Sequence, residues 1–255
     1  MNKGTKEGKL EEIYLTKKLN KKIDKSLWKV LQIDSKKHYA VHVTTLKYGA
    51  VNKKKIWPKA DIFIVKSELT NNKLKEKNYY LCEHDLKNIS HTSIPLSGIS
   101  VKRRDSKRFQ IMKIGVSTFR KLFNNTELGA GASIYCLNSN DIYKNESVLN
   151  GWKTNWVRFD AFFNKLVDEN ININTSLKTF KKIKKISNHM IKESIEKDTK
   201  LSDFIFKGIG NFNEPYTANY IFEDNKLKLN YYLPFKITTG SGRSKGVFTV
   251  VLKPE

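Results

Sequence analysis

Two oppositely charged residues at strand ends are the part of this sequence best suited to catalysis. Asp61 stands just before the apolar, β-branched run 62–65, which predicts a strand. Lys102 ends a second predicted strand, 95–102, and Ser100 and Lys102 share a face of it because side chains alternate along a strand. If these strands pair, the carboxylate and the lysine can hold a divalent metal against a phosphate, as in metal-dependent nucleases.

A second pairing of the same residue types lies between these strands. Asp85-Leu86-Lys87 is a literal D-x-K sequence with Glu83 close by, but its surroundings are polar and typical of a turn. Because catalytic groups need rigid elements to hold them, we favour Lys102 over Lys87 and keep Lys87 as the alternative. The five histidines show no metal-binding spacing and are expected to be ordinary surface or packed residues.

The charge of the chain predicts a polyanionic partner. Its 255 residues include 48 Lys and Arg against 25 Asp and Glu, a net charge of +23. An AT-biased genome would raise the lysine content but would not explain the scarcity of acids. Nucleic acid is therefore the favoured partner, and a membrane surface is the weaker alternative. No apolar run approaches the roughly 20 residues of a membrane span. With two cysteines and no CxxC, we expect a cytoplasmic protein.

The predicted elements run in the order helix, sheet, helices, sheet, which indicates a mixed α/β fold. A helix is predicted at 8–22, with Leu10, Ile13 and Tyr14 on its packed face, and strands at 38–46, 60–67, 79–82 and 95–102. Segment 68–78 is predicted to be a loop, 116–125 a helix, and the glycine-rich run 128–132 a flexible stretch that could approach a ligand. An aromatic stripe in 152–167 predicts a buried helix face.

No repeat or linker interrupts the sequence, so we expect a single domain over 1–255. Within it, 8–125 forms the catalytic core, 141–200 a helical insertion, and 216–255 the C-terminal strands with a DNA-contacting loop.

Several motifs, in this order, resemble those of the PD-(D/E)XK nucleases, in particular the MspI-like branch of type II restriction endonucleases. Gly8-Lys9-Leu10-Glu11-Glu12 is similar to the first-helix motif of that branch. Lys59-Ala60-Asp61 matches a K-x-D that enters a strand, and Ile99-Ser100-Val101-Lys102 matches a strand that ends in lysine before a basic segment. The glycine-rich, basic turn 240–246 resembles the one before the last strand.

The resemblance implies a PD-(D/E)XK core with a mixed central sheet flanked by helices, a helical middle and a C-terminal β segment. It also implies Mg²⁺-dependent cleavage of double-stranded DNA at a short specific sequence. Asp61 would bind the metal, Glu12 would be an outer ligand through water, and Lys102 would hold or polarise the attacking water. Ser100 occupies the position of the usual acid, which this branch also replaces with a neutral polar residue.

The implied partners are double-stranded DNA and, functionally, a cognate methyltransferase, with the enzyme a monomer or homodimer. Two rival functions remain open. One is a non-specific or repair nuclease on the same core, and the other is a nucleic-acid-binding protein without catalysis.

The expected DNA contacts fall in two segments. They are Arg103, Arg104, Lys107, Arg108 and Gln110 in the first, and Ser241, Arg243, Ser244 and Lys245 in the second. The basic residues of the first segment are expected to contact phosphates, which position the protein without specifying sequence. The fork of Arg243 fits the O6 and N7 atoms of guanine, so we expect it to contact a base in the major groove.

Replacement of Arg243 by alanine tests this assignment. We expect Arg243→Ala to lower cleavage of the cognate site more than it lowers binding to random DNA, because only the cognate site offers the guanine edge. Equal losses in the two measurements would make Arg243 a phosphate contact.

Overall fold

The computed structural model describes residues 3–44, 47–48, 55–56, 58–102, 110–134, 143–230, 234–240 and 248–255. The helices in these ranges are α1 (Lys3–Lys21), α2 (Lys25–Leu31), α3 (Asn71–Glu76), α4 (Val116–Phe123), α5 (Thr126–Ser133), α6 (Tyr143–Gly151), α7 (Trp156–Val167), α8 (Leu177–Lys197) and α9 (Thr199–Phe206). The strands are β1 (His38–His42), β2 (Lys47–Tyr48), β3 (Lys55–Ile56), β4 (Ile62–Ser67), β5 (His91–Ser93), β6 (Ile99–Val101), β7 (Met112–Gly115), β8 (Tyr220–Glu223), β9 (Lys226–Leu229), β10 (Phe235–Gly240) and β11 (Thr249–Pro254), and a 3₁₀ turn covers Asp85–Asn88.

The chain divides into two compact units. The first comprises Met1–Lys107 and Ser202–Tyr232, and the second comprises Arg108–Leu201 and Leu233–Glu255. The predicted single domain with a core, a helical insertion and C-terminal strands stays a prediction.

A mixed sheet forms the centre of the first unit. Its strand order is β1-β4-β6-β8-β9, with β5 also paired to β4. β4 is antiparallel to β1 and β6, whereas β6 and β8 are parallel. The predicted α/β architecture, with a mixed sheet flanked by helices, is therefore confirmed.

The alternation of apolar residues along β4 places helices on both faces of this sheet. Ile62 and Ile64 pack against residues of α1 and α2. Phe63 and Val65 point the other way and pack against Leu74 of α3 and other apolar residues. Burial on both faces explains why this strand is an almost continuous apolar run.

The packed face of α1 differs from the predicted one. Leu15 and Leu19 are fully buried, while Leu10 is 59% and Tyr14 42% exposed. The prediction was wrong because part of the buried face is polar, which hides it from a count of apolar residues: Thr16 and Asn20 are buried on that face as well.

The second unit is built around α5, a helix that is buried along its whole length. Gly129 lies against Trp152, where an added Cβ would come within 2.3 Å of Cζ3 of the indole ring. An added Cβ at Gly131 would come within 2.2 Å of Ser187 Oγ and 2.5 Å of Cζ of the Phe163 ring. The prediction of a flexible stretch at 128–132 was therefore wrong, since its small residues serve helix packing. The predicted aromatic core is confirmed, because Phe159 and Phe163 are fully buried.

Two predicted connections also differ in the structure. Segment 68–78, predicted to be a loop, contains α3. Segment 79–82, predicted to be a strand, contributes one isolated bridge between His42 and Cys82. Both corrections concern short segments that neighbouring elements hold in place.

The start of β6 tolerates no side chain at Gly98. A Cβ there would lie 1.8 Å from the carbonyl oxygen of Thr217, and the Gly98 carbonyl itself accepts a hydrogen bond from Tyr220 N at 2.9 Å. We expect Gly98→Ala to lower the free energy of unfolding by about 1–3 kcal/mol, as overpacking does.

Chemical denaturation measures this effect, with Gly8→Ala as the matched control. A Cβ at Gly8 meets nothing within 4 Å, and this residue lies inside α1. The control is therefore expected to be neutral or to stabilise by up to about 1 kcal/mol. Equal stabilities of the two variants would contradict the steric argument.

Candidate active site

Asp61 lies at the start of β4, with its main chain held on both sides. Its N–H donates to the carbonyl of Ile99 at 2.8 Å, and its own carbonyl accepts from the N–H of Val43 at 2.9 Å. Its side chain is fixed as well, because Oδ2 accepts a hydrogen bond from the N–H of Val101 at 2.7 Å. The carboxylate is therefore positioned by the main chain of the sheet.

Ser100 and Lys102 of the neighbouring strand meet this carboxylate. The Ser100 hydroxyl donates to Asp61 Oδ2 at 3.3 Å, and Lys102 Nζ donates to Ser100 Oγ at 2.8 Å. The N–H of Lys102 is bonded to the carbonyl of Phe222 in β8 at 2.8 Å. The structure thus brings Asp61, Ser100 and Lys102 together, with the last two on one face as expected from alternation.

Glu12, on α1, lies near the start of β4, where Asp61 is. Its Oε2 lies 2.8 Å from His42 Nε2, at the end of β1. Its charge acts on both Asp61 and Lys102. The structure therefore places all four predicted catalytic residues in one neighbourhood.

Burial and the neighbouring charges shift the pKa of Asp61. Burial, and then the nearby charge of Glu12, raise the pKa of Asp61 from its ordinary 3.8 to about 6. The positive charge of Lys102 opposes this rise, as do the hydrogen bonds from Val101 and Ser100. The raised value means that the surrounding donors do not fully compensate the buried carboxylate.

Two lysines share this environment. Burial lowers the pKa of Lys102 below its ordinary value, although Asp61, Glu223 and Glu12 act in the opposite direction. Burial also lowers the pKa of Lys59 to about 8, Lys102 adds to the effect, and Asp61 opposes it. Sequence reasoning gave Lys59 no role in the site. Its position two residues before Asp61, in Lys59-Ala60-Asp61, was the signal that could have placed it there.

His42 and Tyr80 are site residues that sequence reasoning missed. The Tyr80 hydroxyl lies 2.7 Å from His42 Nδ1, so both ring nitrogens of this buried histidine have partners. No spacing in the sequence could reveal this contact, because Glu12, His42 and Tyr80 come from distant segments.

The alternative D-x-K sequence serves a local turn. Asp85 Oδ1 pairs with Lys77 Nζ at 2.6 Å, and its Oδ2 accepts from the N–H of Cys82 at 2.9 Å. Lys87 is exposed on the 3₁₀ turn. The charge that opposes the raised pKa of Asp61 is that of Lys102.

Most of the predicted DNA contacts lie outside the described residues. These are Arg103, Arg104, Lys107, Arg108, Ser241, Arg243, Ser244 and Lys245. Gln110 is described and exposed, just before β7. The role of all nine in DNA binding stays a prediction.

The donor atoms at this site fit a hard cation with mostly water ligands. Among the described residues, no group of three or more His, Cys, Asp or Glu is placed to hold a metal. In the same part of the chain, the hydrogen bonds to the Asp61 carboxylate all go to Oδ2, which leaves Oδ1 for a cation. Mg²⁺ is commonly bound by one or two carboxylates and keeps several waters, so Asp61 and Glu12 suit it.

Among the comparisons with known proteins, the one with solved structures gives a match. No protein-family model matches the chain, and a search of curated proteins gives no significant match. The structure is similar to the crystal structure of restriction endonuclease MspI in complex with its cognate DNA. The similarity covers 96% of this chain and 88% of that chain, with a TM-score of 0.45 and 15% sequence identity.

No described helix is long and apolar enough to cross a membrane.

The raised pKa of Asp61 predicts an unusual effect of Asp61→Asn. Asp61 binds its proton more tightly in the folded protein than in the unfolded chain. The folded protein therefore loses stability as the pH rises from about 4 to about 6, and ionised Asp61 destabilises it at neutral pH. We expect Asp61→Asn to raise the free energy of unfolding by about 1–3 kcal/mol near pH 7.5, since each pKa unit corresponds to about 1.4 kcal/mol and the value of about 6 already includes the attraction of Lys102.

Denaturation at two pH values with and without Mg²⁺ measures this. The difference between wild type and Asp61→Asn should vanish near pH 4, and Mg²⁺ should stabilise only the wild type. An Asp61→Asn protein that is less stable than wild type at both pH values would contradict the argument.

Proposed function

We propose that this protein is a type II restriction endonuclease, an Mg²⁺-dependent hydrolase of phosphodiester bonds in double-stranded DNA at a short specific sequence. The observation that supports this best is the Asp61–Ser100–Lys102 arrangement: a partly buried carboxylate and a partly buried amine joined through one hydroxyl on paired strands. Fixed positions of this kind are what hydrolysis of a phosphodiester needs from a protein.

Each residue has a separate role in this proposal. Asp61 and Glu12 would hold the cation, Asp61 through a carboxylate oxygen and Glu12 as an outer ligand. When bound, the cation would offset phosphate charge and lower the pKa of water. Lys102 orients the attacking water and stabilises the negative charge that grows on the phosphate oxygens.

Ser100 explains how the site functions without a second carboxylate in the strand. Its hydroxyl links Lys102 to Asp61 and adds no negative charge beside the buried carboxylate. A carboxylate at this position would add repulsion to an Asp61 whose pKa is already raised. Glu12 therefore supplies the second negative charge for the cation, from α1 rather than from the strand.

The net charge of +23 supports a DNA substrate, because lysine and arginine neutralise phosphates and release counterions. The protein, as a monomer or a homodimer, would act in the cytoplasm alongside a cognate methyltransferase.

Incubation of plasmid DNA with wild type, Asp61→Ala and Lys102→Ala, with and without Mg²⁺, tests the proposal. We expect discrete fragments from the wild type with Mg²⁺. Loss of either side chain should slow cleavage at least about 100-fold, the scale of a lost catalytic proton-transfer or charge-stabilising group.

Lys87→Ala is the matched control, since it removes the same side chain from the alternative D-x-K sequence and should leave the fragments unchanged. A smear in place of fragments would favour the non-specific nuclease. Intact plasmid together with salt-sensitive DNA binding would contradict both nuclease functions. Loss of cleavage in Lys87→Ala but not in Lys102→Ala would move the catalytic lysine to position 87.

A further inference from the structure

Three side chains from separate segments of the first unit form one hydrogen-bonded chain. His42, at the end of β1, is 1% exposed and uses both ring nitrogens. Its Nε2 lies 2.8 Å from Glu12 Oε2, and its Nδ1 lies 2.7 Å from the hydroxyl of Tyr80. A buried imidazole with two partners of this kind is held in one orientation.

The chemistry of the partners sets the direction of these hydrogen bonds. As a carboxylate, Glu12 only accepts, so Nε2 of His42 carries the hydrogen. In the tautomer that carries its hydrogen on Nε2 alone, Nδ1 is the acceptor and the Tyr80 O–H is the donor. Burial raises the pKa of Tyr80 to about 12, which keeps this donor protonated. The tautomer is thus assigned from its partners.

The hydrogen bond from His42 holds a carboxylate that would otherwise move away. Glu12 is only partly buried on α1, and its charge repels that of Asp61. Free rotation would carry the Glu12 carboxylate into solvent and away from Asp61. The bond from His42 holds Oε2, so that Oε1 is the oxygen available to the site.

His42 itself has little freedom to follow Glu12. Its N–H donates to the carbonyl of Leu81 at 2.9 Å, and in the strand register it pairs with Ile62, which follows Asp61. The ring of Tyr80 packs edge-on against the imidazole, with centroids 5.7 Å apart. The same strand pairing therefore fixes His42 and Asp61 relative to one another.

We propose that His42 is a positioning residue of the cation site, which holds Glu12 close to Asp61 before the cation binds, and that Tyr80 fixes the orientation and tautomer of His42. The identity of the site as a cation site rests on the proposed function. The position of Glu12 is prepared in advance, so that little ordering remains when the cation arrives.

Mn²⁺ binding to the full-length protein without DNA tests this proposal by calorimetry. Substitution of residues that orient metal ligands commonly weakens binding by about 10- to 100-fold, and we expect a loss of this size in His42→Leu. His42→Gln retains an N–H donor near the position of Nε2 and should restore binding to within a few-fold of wild type. Tyr80→Phe should give a smaller loss than His42→Leu, because it removes only the atom that fixes the tautomer.

The Mg²⁺ concentration for half-maximal cleavage should shift in the same order across these variants. His38→Leu and His38→Gln are the matched controls, since His38 lies at the other end of β1, and both should bind Mn²⁺ as wild type does.

Wild-type Mn²⁺ affinity in a folded His42→Leu would overturn the proposal and assign His42 to packing alone. If His42→Leu does not fold, Tyr80→Phe and His42→Gln decide: a loss in Tyr80→Phe with near-normal binding in His42→Gln supports the proposal, and any other pattern overturns it. Mn²⁺ binding that depends on His42 in a protein that cuts no DNA would keep this inference and reject the nuclease. A wild type without Mn²⁺ affinity would reject the cation site itself.

Discussion

The partial burial of the Asp61 carboxylate at the start of β4 is the constraint to which the other site residues respond. A buried charge destabilises a protein unless hydrogen bonds and opposite charges compensate it. Here the N–H of Val101, the hydroxyl of Ser100 and the charge of Lys102 supply that compensation. The pKa of Asp61 nevertheless stays raised at about 6, so the compensation is incomplete. A bound cation would complete it, which links the instability of the metal-free site to its proposed use.

The mixed sheet holds these residues in a fixed arrangement. Ile62, the first residue of β4, pairs with Ile99, the first residue of its antiparallel neighbour β6, so Asp61 lies beside the residues of β6 that follow Ile99. The parallel strand β8 then holds the main chain of Lys102 from the other side. Because helices cover both faces of the sheet, the edge at the strand ends is where polar groups of the strands can meet a ligand. Rigid strands at that edge keep the reacting groups in fixed positions.

The sequence predicted the elements in which local pattern and tertiary burial agree. Strand β4 and the aromatic core around Phe159 and Phe163 have side chains at regular spacing, and the structure buries them as expected. The packed face of α1 could not be found in this way, since Asn20 on that face is satisfied by the main chain of Ala40 in both directions. Small residues mislead similarly: Gly129 allows a close helix contact with Trp152, although local propensity favours a flexible stretch.

By itself the sequence determined which side chains could do the chemistry and that Ser100 and Lys102 share a face, because alternation along a strand is a local property. Only the tertiary structure decided that Asp61 meets them, since that contact depends on which strands pair and in which register. The same holds for the contact of Glu12 with His42 and for the second partner of His42, Tyr80. These contacts join segments that are far apart in the chain, and no local pattern encodes which distant segment will lie beside a given residue.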